Sequence, residues 1–431
     1  MRTHEEIKQL LEKILAFAKP HTAQIHYSWD NSLATRFGEN AITQNMSGES
    51  ENVRIEIFNG LRKGSMVTNN LDNESMKKMI EIAVKMSKDA PEDPELMEIL
   101  GQQEYPDTPK SFFDDVIQLT PEQVANDAKV VVEGAKAKGY KASGLFEVSA
   151  NISAIANTKG LFCIEDSTNV SYSTTVHGPM GSGKGFANHS SYADLDIRKV
   201  ADMALTNAEM AQNPADIEPE DYTVIFEPAA VAEMLGFLIW NMRARDADEG
   251  TTVFAGKLGQ KMVSDKVNIS VVIDDPEIPP AKFGEDGLPI KALPIFENGV
   301  LKNLRYDRFW AKNTGNEPVA SIFPLAMKGE EQSVDDLVKK CKKGLLVKNL
   351  WYIRYVDRRE LLLTGMTRDG VFLVEDGKIV GPVKNLRWNE SPIVFLSNIV
   401  AMSRPERVDS NAKIPGIMSE GFTFSSKSES L

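Results

Sequence analysis

The first half of this chain repeats one plan, and the repeat restricts it to a pair of like units before any single motif is weighed. Thr3 with Glu6 three residues on makes a capping box. Ile7, Leu10, Leu11, Ile14 and Leu15 then recur at helical spacing. Strands are expected at residues 23–29, 32–37 and 53–58, and Asn59-Gly60 marks a hairpin turn before 62–68. A second helix starts near Asp72, with Met76, Met79, Ile80 and Ala83 on one face. The same order returns from Thr120. Pro121 takes the first helical position, Gln123 completes the cap, and strands follow at 143–155, 161–165 and 170–176. A glycine-rich turn at 178–185 leads to a further strand. A closing helix near Asp194 carries Ile197, Val200, Ala201, Ala204 and Leu205.

Between the units, residues 89–114 are rich in Pro, Asp and Glu and read as an exposed connector. A second break at 213–221 sets the expected domains at 1–215 and 216–431, in line with the prior for 431 residues. The second half reads as strand-rich. It has strands at 222–226 and 268–273, hairpins over 295–306 and 371–380, a helix from Pro228 to about Met242, and a short helix capped by Ser333. The fold class expected is α+β, with a mostly antiparallel, partly closed second sheet.

A net charge of −13 repels phosphate backbones, which argues against direct nucleic-acid binding. Lys339, Lys340, Lys342, Lys343 and Lys348 form the best basic patch, and they read as a solvated face. Cys163 and Cys341 lie far apart, outside any C-x-x-C spacing, so neither a disulfide framework nor a cysteine zinc site is expected. The N-terminus shows no apolar signal region and no apolar run is of membrane length, so a soluble cytoplasmic protein is expected.

Few motifs point to chemistry. The stretch 178–185 lacks the hydroxyl that follows the lysine of a phosphate loop, so it reads as structural. No G-x-S-x-G elbow is present. Asp274-Asp275 and the 246–249 carboxylates do not fit the EF-hand pattern and read as loop caps. The five histidines are His4, His21, His26, His177 and His189. After His189 there are none, so the second half cannot build a histidine-ligated zinc site.

Several stretches in fixed order resemble the TldD/PmbA family, the "modulator of DNA gyrase" proteins. They are EPAAVAEMLG at 227–236, GTTVFAG at 250–256 followed by KLGQ, DGLP at 286–289 and FENGVL at 296–301. LTG at 363–365, GVFLVEDGKI at 370–379 and GPV at 381–383 complete the second half. NTKG at 157–160 and Val53-Arg54 with Gly60 and Gly64 extend the resemblance into the first half. One branch of that family is a zinc peptidase built on an H-E-x-x-x-H helix. The resemblance places those three positions on Leu235, Gly236 and Trp240, the acidic positions beyond them on Arg243 and Arg245, and a late cysteine ligand near 411–413. None of these residues is a zinc ligand or a general base. The helix from Leu235 to Trp240 reads as simply buried.

The resemblance therefore implies the PmbA or TldE branch. Such a chain is a non-catalytic subunit, with no cofactor of its own, partnering a zinc-bearing TldD-like homologue or a second copy of itself. The family's pairs enclose a cavity and process unfolded peptides against a strand edge. Arg243, Arg245, Gly250 and Thr251 are the candidate peptide-groove residues. The rival readings are a protein that modulates gyrase by contact, and a peptidase with an unrelated site at carboxylates such as Asp246, Asp248 and Asp274.

Overall fold

The structure is a computed structural model that describes residues 1–428. The first unit runs α1 (His4–Ala18), β1 (Thr22–Gly38), β2 (Ala41–Asn59), β3 (Arg62–Thr68) and α2 (Asn73–Asp89). After the short α3 (Asp114–Ile117), the second runs α4 (Pro121–Ala137), β4 (Lys141–Asn157), β5 (Phe162–His177), β6 (Ser182–His189) and α5 (Ile197–Met210). The expected capping boxes are present at Thr3/Glu6 and Thr120/Gln123. The cap of α5 is Asp196, which accepts from the Lys199 N–H; Asp194 lies in the preceding 3-10 turn.

The six strands form one antiparallel sheet in the order β3-β2-β1-β4-β5-β6. Each unit is a meander, and the two are joined back to back where β1 pairs β4. Four helices cover one face of this sheet. The inward residues of β1 divide between them, Ile25 and Tyr27 packing with α1 and α2, Leu33 and Phe37 with α4 and α5. Residues 23–29 and 32–37 are one strand, contrary to the sequence expectation. Asp30, Asn31 and Ser32 are laddered on both sides, to 48–50 of β2 and 149–151 of β4, and this holds Asp30 and Asn31 extended where a break between two strands was expected.

On the other face large apolar residues such as Met46, Val67, Leu145, Ile155 and Phe186 lie toward the margins, and the centre is polar. It presents Ser28, Ser32, Ser149, Asn151, Ser153, Ser167 and Ser171 in facing register.

The glycines of 178–185 were expected to make a turn, but most of them serve packing. A Cβ on Gly183 would lie 2.1 Å from the Ala208 nitrogen of α5, and one on Gly185 2.2 Å from the Val200 carbonyl. Gly64 repeats the device in the first unit, 2.1 Å from the Ala83 carbonyl of α2. Each unit thus seats its second helix directly on its last strand.

The second half contains β7 (Asp221–Phe226), α6 (Pro228–Trp240), α7 (Ala244–Asp248), β8 (Ile269–Val271), β9 (Leu293–Glu297), β10 (Val300–Leu301), α8 (Arg308–Thr314) and β11 (Leu325–Met327). It continues with α9 (Val334–Lys340), β12 (Lys343–Asp357), β13 (Leu362–Glu375), β14 (Lys378–Pro382), β15 (Leu386–Glu390), α10 (Pro392–Ser397), β16 (Ile399–Asp409) and β17 (Ala412–Lys427). These form an 11-stranded sheet, mostly antiparallel, with parallel pairs β7–β12 and β11–β17. Strands β7, β12, β13, β15 and β17 close into a ring, because β17 pairs both β15 and β7. Phe226, Trp388, Phe395 and Phe422 pack together at its core. The hairpin expected over 295–306 is shorter, ending at Leu301.

The connector between the units is not simply exposed. Its acidic and proline residues face water, but Ile99 is buried and Tyr105 packs edge-on to Phe283 at 5.8 Å while donating to the Gly287 carbonyl. Glu95 pairs with Arg245, and Arg308 donates to the Glu98 carbonyl. The connector straps the first half to the second.

Candidate functional site

Helix α6 starts where β7 ends. Pro228 occupies its first turn, where no backbone donor is lost. The N-cap residue, Glu227, turns its carboxylate away from the helix to Lys348 at 2.5 Å. Ala230, Val231, Met234, Leu235, Leu238 and Ile239 form the buried face. Residues 229, 233, 236 and 240 fall on the opposite face at helical spacing. At Gly236 an added Cβ would meet nothing within 4 Å, so open space lies over the middle of this face.

The three positions implied by the resemblance are therefore not brought together. Leu235 is 2% exposed, inside the core, whereas Trp240 is 65% exposed. Residues five apart on a helix point about 140° from each other. The expectation of a wholly buried helix fails at Trp240, because the last residue of α6 passes beyond the core. Its ring rests on Phe237 at 5.5 Å, and Phe237 in turn meets Tyr355 at 5.3 Å. Asn241 ends the helix by donating to the Phe237 carbonyl and the Tyr355 hydroxyl.

The groove candidates gather around α7, just beyond. Arg243 is its N-cap residue, with an exposed side chain. The Arg245 guanidinium is already occupied, by Glu95 and Glu249 at 3.0 Å and by the Trp310 ring at 5.2 Å. Gly250, at φ +74°, and Thr251 close the turn after α7, the Thr251 hydroxyl donating to the Asp246 carbonyl. Near the proposed late-ligand position, Lys413 is held by Asp275 at 3.1 Å and Glu277 at 3.2 Å. Asp275 also accepts from the Glu277 N–H, so within the expected Asp274-Asp275 cluster it is Asp275 that holds the loop. Among the described residues no cluster of three or more His, Cys, Asp or Glu side chains is arranged to hold a metal. Cys163 and Cys341 are both buried and unbridged, and burial pushes the Cys163 thiol up to about 11.

Beside the start of α6 lies a cleft of about 580 Å³, walled by edge strand β6 and by β16. Lys184, Phe186, His189, Glu227, Lys348 and Arg407 line it. Burial lowers the His189 pKa, and Arg407 adds to the effect. Arg407 donates to Asn188 at 2.8 Å, while its buried Nε finds no partner. On α6 itself, Glu233 is raised by desolvation, against the pull of Lys184. Four of the five lysines of the supposed basic patch are separately engaged, Lys339 with Asp336, Lys340 with Gln332, Lys343 with Glu220 and Lys348 with Glu227.

Sequence reasoning missed the β12–β13 hairpin beside Trp240. Its signal was visible in the clustering of Trp351, Tyr352 and Tyr355 with Arg354, Arg358 and Arg359. No signal in the sequence placed Arg407 against β6.

Residues 114–212 match the PmbA/TldA metallopeptidase central domain, and 219–426 match the C-terminal domain of the same family. A metalloprotease of Methanothermobacter thermautotrophicus is 23% identical over 57% of this chain, and the chain spans 59% of that relative's length. Metalloprotease MJ0996 of Methanocaldococcus jannaschii is 24% identical, over 78% of this chain and 80% of its own. Among solved structures, a candidate modulator of DNA gyrase from Thermotoga maritima superimposes with a TM-score of 0.88 at 18% identity, covering 97% of this chain and 100% of that one. TldE from Thermococcus kodakarensis does so at 0.86 and 19%, covering 97% and 99%. At these identities the structural matches show the fold. No helix among the described residues is long and apolar enough to cross a membrane.

Proposed function

Because the chain belongs to the PmbA/TldD metallopeptidase family, we propose that it is a TldE-like, non-catalytic subunit of a TldD/TldE-type cytoplasmic metallopeptidase that processes unfolded peptides. The observation that carries this reading is the chemistry and direction of α6. Zinc hydrolysis needs imidazole or thiolate ligands converging on one point, with a carboxylate to activate the bound water. Leu235 offers an alkyl chain to the core, Gly236 offers no side chain, and Trp240 offers an indole to solvent. The single carboxylate on the open face, Glu233, has no ligand set beside it. Zinc belongs, on this reading, to a TldD-like partner.

What this chain supplies is shape. The cleft beside α6 borders β6, the last strand of its sheet, and an extended peptide can add to a strand edge through its backbone whatever its side chains. The hydroxyl- and amide-lined centre of the same sheet's open face gives a passing chain little apolar surface to stick to.

Elemental analysis of the purified chain tests the reading. It predicts substoichiometric zinc. About one tightly held zinc per chain, lost on substitution within 235–245, would contradict it.

A further inference from the structure

We infer that the outer half of the β12–β13 hairpin, together with Trp240, is the surface that seats the partner. We infer further that the partner is a different polypeptide of this family with an acidic face, not a second copy of this chain. The inference rests on the partner-subunit reading and adds to it a surface and a choice of partner.

The patch is exposed and aromatic. Trp240, Trp351, Tyr352 and Val356 are 65, 43, 51 and 56% exposed. Three guanidinium groups lie over aromatic rings there: Arg368 on Trp351 at 4.0 Å, Arg354 on Tyr352 at 4.3 Å and Arg358 on Tyr355 at 4.9 Å. Phe237 connects Tyr355 to Trp240, so the patch is continuous with the open face of α6. Stacked guanidinium planes hold the aromatic side chains in fixed positions before anything binds. Trp, Tyr and Arg are also the residues that dominate binding energy at protein interfaces.

The edge of β12 is open but does not invite a strand. Strand β7 pairs with it only over 344–347. Beyond Val347 the register against β13 slips three times, and Tyr352 adopts φ +55°. Bulged edges resist further strand addition, so contact here is made by side chains.

Charge decides the partner. Between Trp351 and Glu360 three arginines stand against two acids, Asp357 and Glu360, in a chain of net charge −13, and Lys348 beside them is already held by Glu227. Arg354, Arg358 and Arg359 form no ion pair among the described residues; Arg368 lies 3.8 Å from Asp369. A two-fold contact that laid the patch on its own copy would set these guanidinium groups against each other, and opposed like charges cost several kcal/mol. An acidic counter-face on another chain relieves this. A nucleic acid would have to approach against the overall negative field.

The test uses the full chain with a family homologue from the same genome whose metal helix keeps its histidines. Association is measured by sedimentation velocity at low and high salt. The wild-type pair should associate, and more weakly at high salt. Hydrogen exchange at 349–368 should slow on mixing. The variants Arg354→Glu with Arg358→Glu, and Trp351→Ser with Tyr352→Ser, should each weaken the complex at least about 30-fold with the melting temperature unchanged. Met180→Ser, exposed elsewhere, should not. If the pair forms but these variants bind as wild type and 349–368 stays unprotected, the surface is wrong and the partner reading stands. If no pair forms, or the genome encodes no such homologue, both fail. If the variants instead dissolve a dimer of this chain, or abolish its binding to a single-stranded oligonucleotide, the partner named here is wrong.

Discussion

In the first sheet every pairing except β1–β4 joins strands that follow one another in the chain; in the second, β17 alone touches β7, β11, β15 and β16. The first is two local meanders set back to back, with helices on one face. The second is a ring that cannot close until the last strand arrives. The difference bears on function. The symmetric half leaves a polar face open and sets its last strand beside a cleft, while the ring commits its central helix to the core on one side and brings the start of that helix to the cleft. In this chain α6 is a structural element on its core face, and on the proposed reading its open face is left for partners and peptides.

The largest expected effect tests whether α6 could still serve as a metal helix. Leu235→His with Gly236→Glu and Trp240→His restores the residue types of the active branch. It should give no zinc-dependent cleavage by the chain alone, and should cost on the order of 3–5 kcal/mol of stability. The cost falls on Leu235, which is buried, and not on Trp240, which is exposed. Peptide cleavage and thermal melting read both outcomes. Robust activity would mean that the two halves differ less than claimed.

The next test addresses the symmetry of the first sheet. Gly64→Ala and Gly183→Ala each place a Cβ 2.1 Å from helix backbone, which must then move. Each should lose about 3 kcal/mol in denaturant unfolding, by similar amounts. A large loss at one and none at the other would break the equivalence of the units.

Glu56 marks where the units part. It is buried on β2, in the pocket wall that faces the second half. Desolvation alone would raise its carboxyl. The hydrogen bonds and charges of His26 and Lys63 outweigh that and hold it at about 2, below the ordinary 4.5. A depressed carboxyl stabilises the fold above its unfolded pKa and loses that contribution as pH falls toward the folded one. Glu56→Gln should therefore cost roughly 2 kcal/mol at neutral pH, with the gap from wild type closing between about pH 4.5 and 2 in pH-dependent melting. A gap that does not change with pH would show that the carboxylate charge is not what matters there.

The smallest effect should come from the caps. Thr3→Ala and Thr120→Ala each remove a reciprocal capping box and should cost about 1 kcal/mol.

What could be read beforehand follows the same division. Local signals went furthest in the first half, although they divided β1 and β5 and missed residues 41–52 of β2. Thr3/Glu6, Thr120/Gln123 and the helical spacing after them gave the helices and the repeat, and the Asn59-Gly60 turn placed one hairpin. They failed at Asp30-Asn31, where polar residues are held extended by ladders on both sides that no local pattern reports. In the second half, single elements such as β7, α6 and the β13–β14 hairpin were legible, but the ring was not, because it depends on residues 417–423 meeting 221–226. The identity of the residues on α6 was visible; their directions were not. Leu235 and Trp240 part company only once the core is known, and the strapping role of Arg245 only once Glu95 is seen beside it.

The central claim is that this chain contributes structure to a peptidase whose chemistry resides in a partner. It is tested most directly by titrating the purified chain into a fixed amount of the zinc-bearing homologue and following cleavage of an unfolded peptide. The account predicts no cleavage by this chain alone and activity that rises to a plateau at one chain per homologue. Zinc-dependent cleavage by this chain alone, or homologue activity unaffected by its addition, would contradict it.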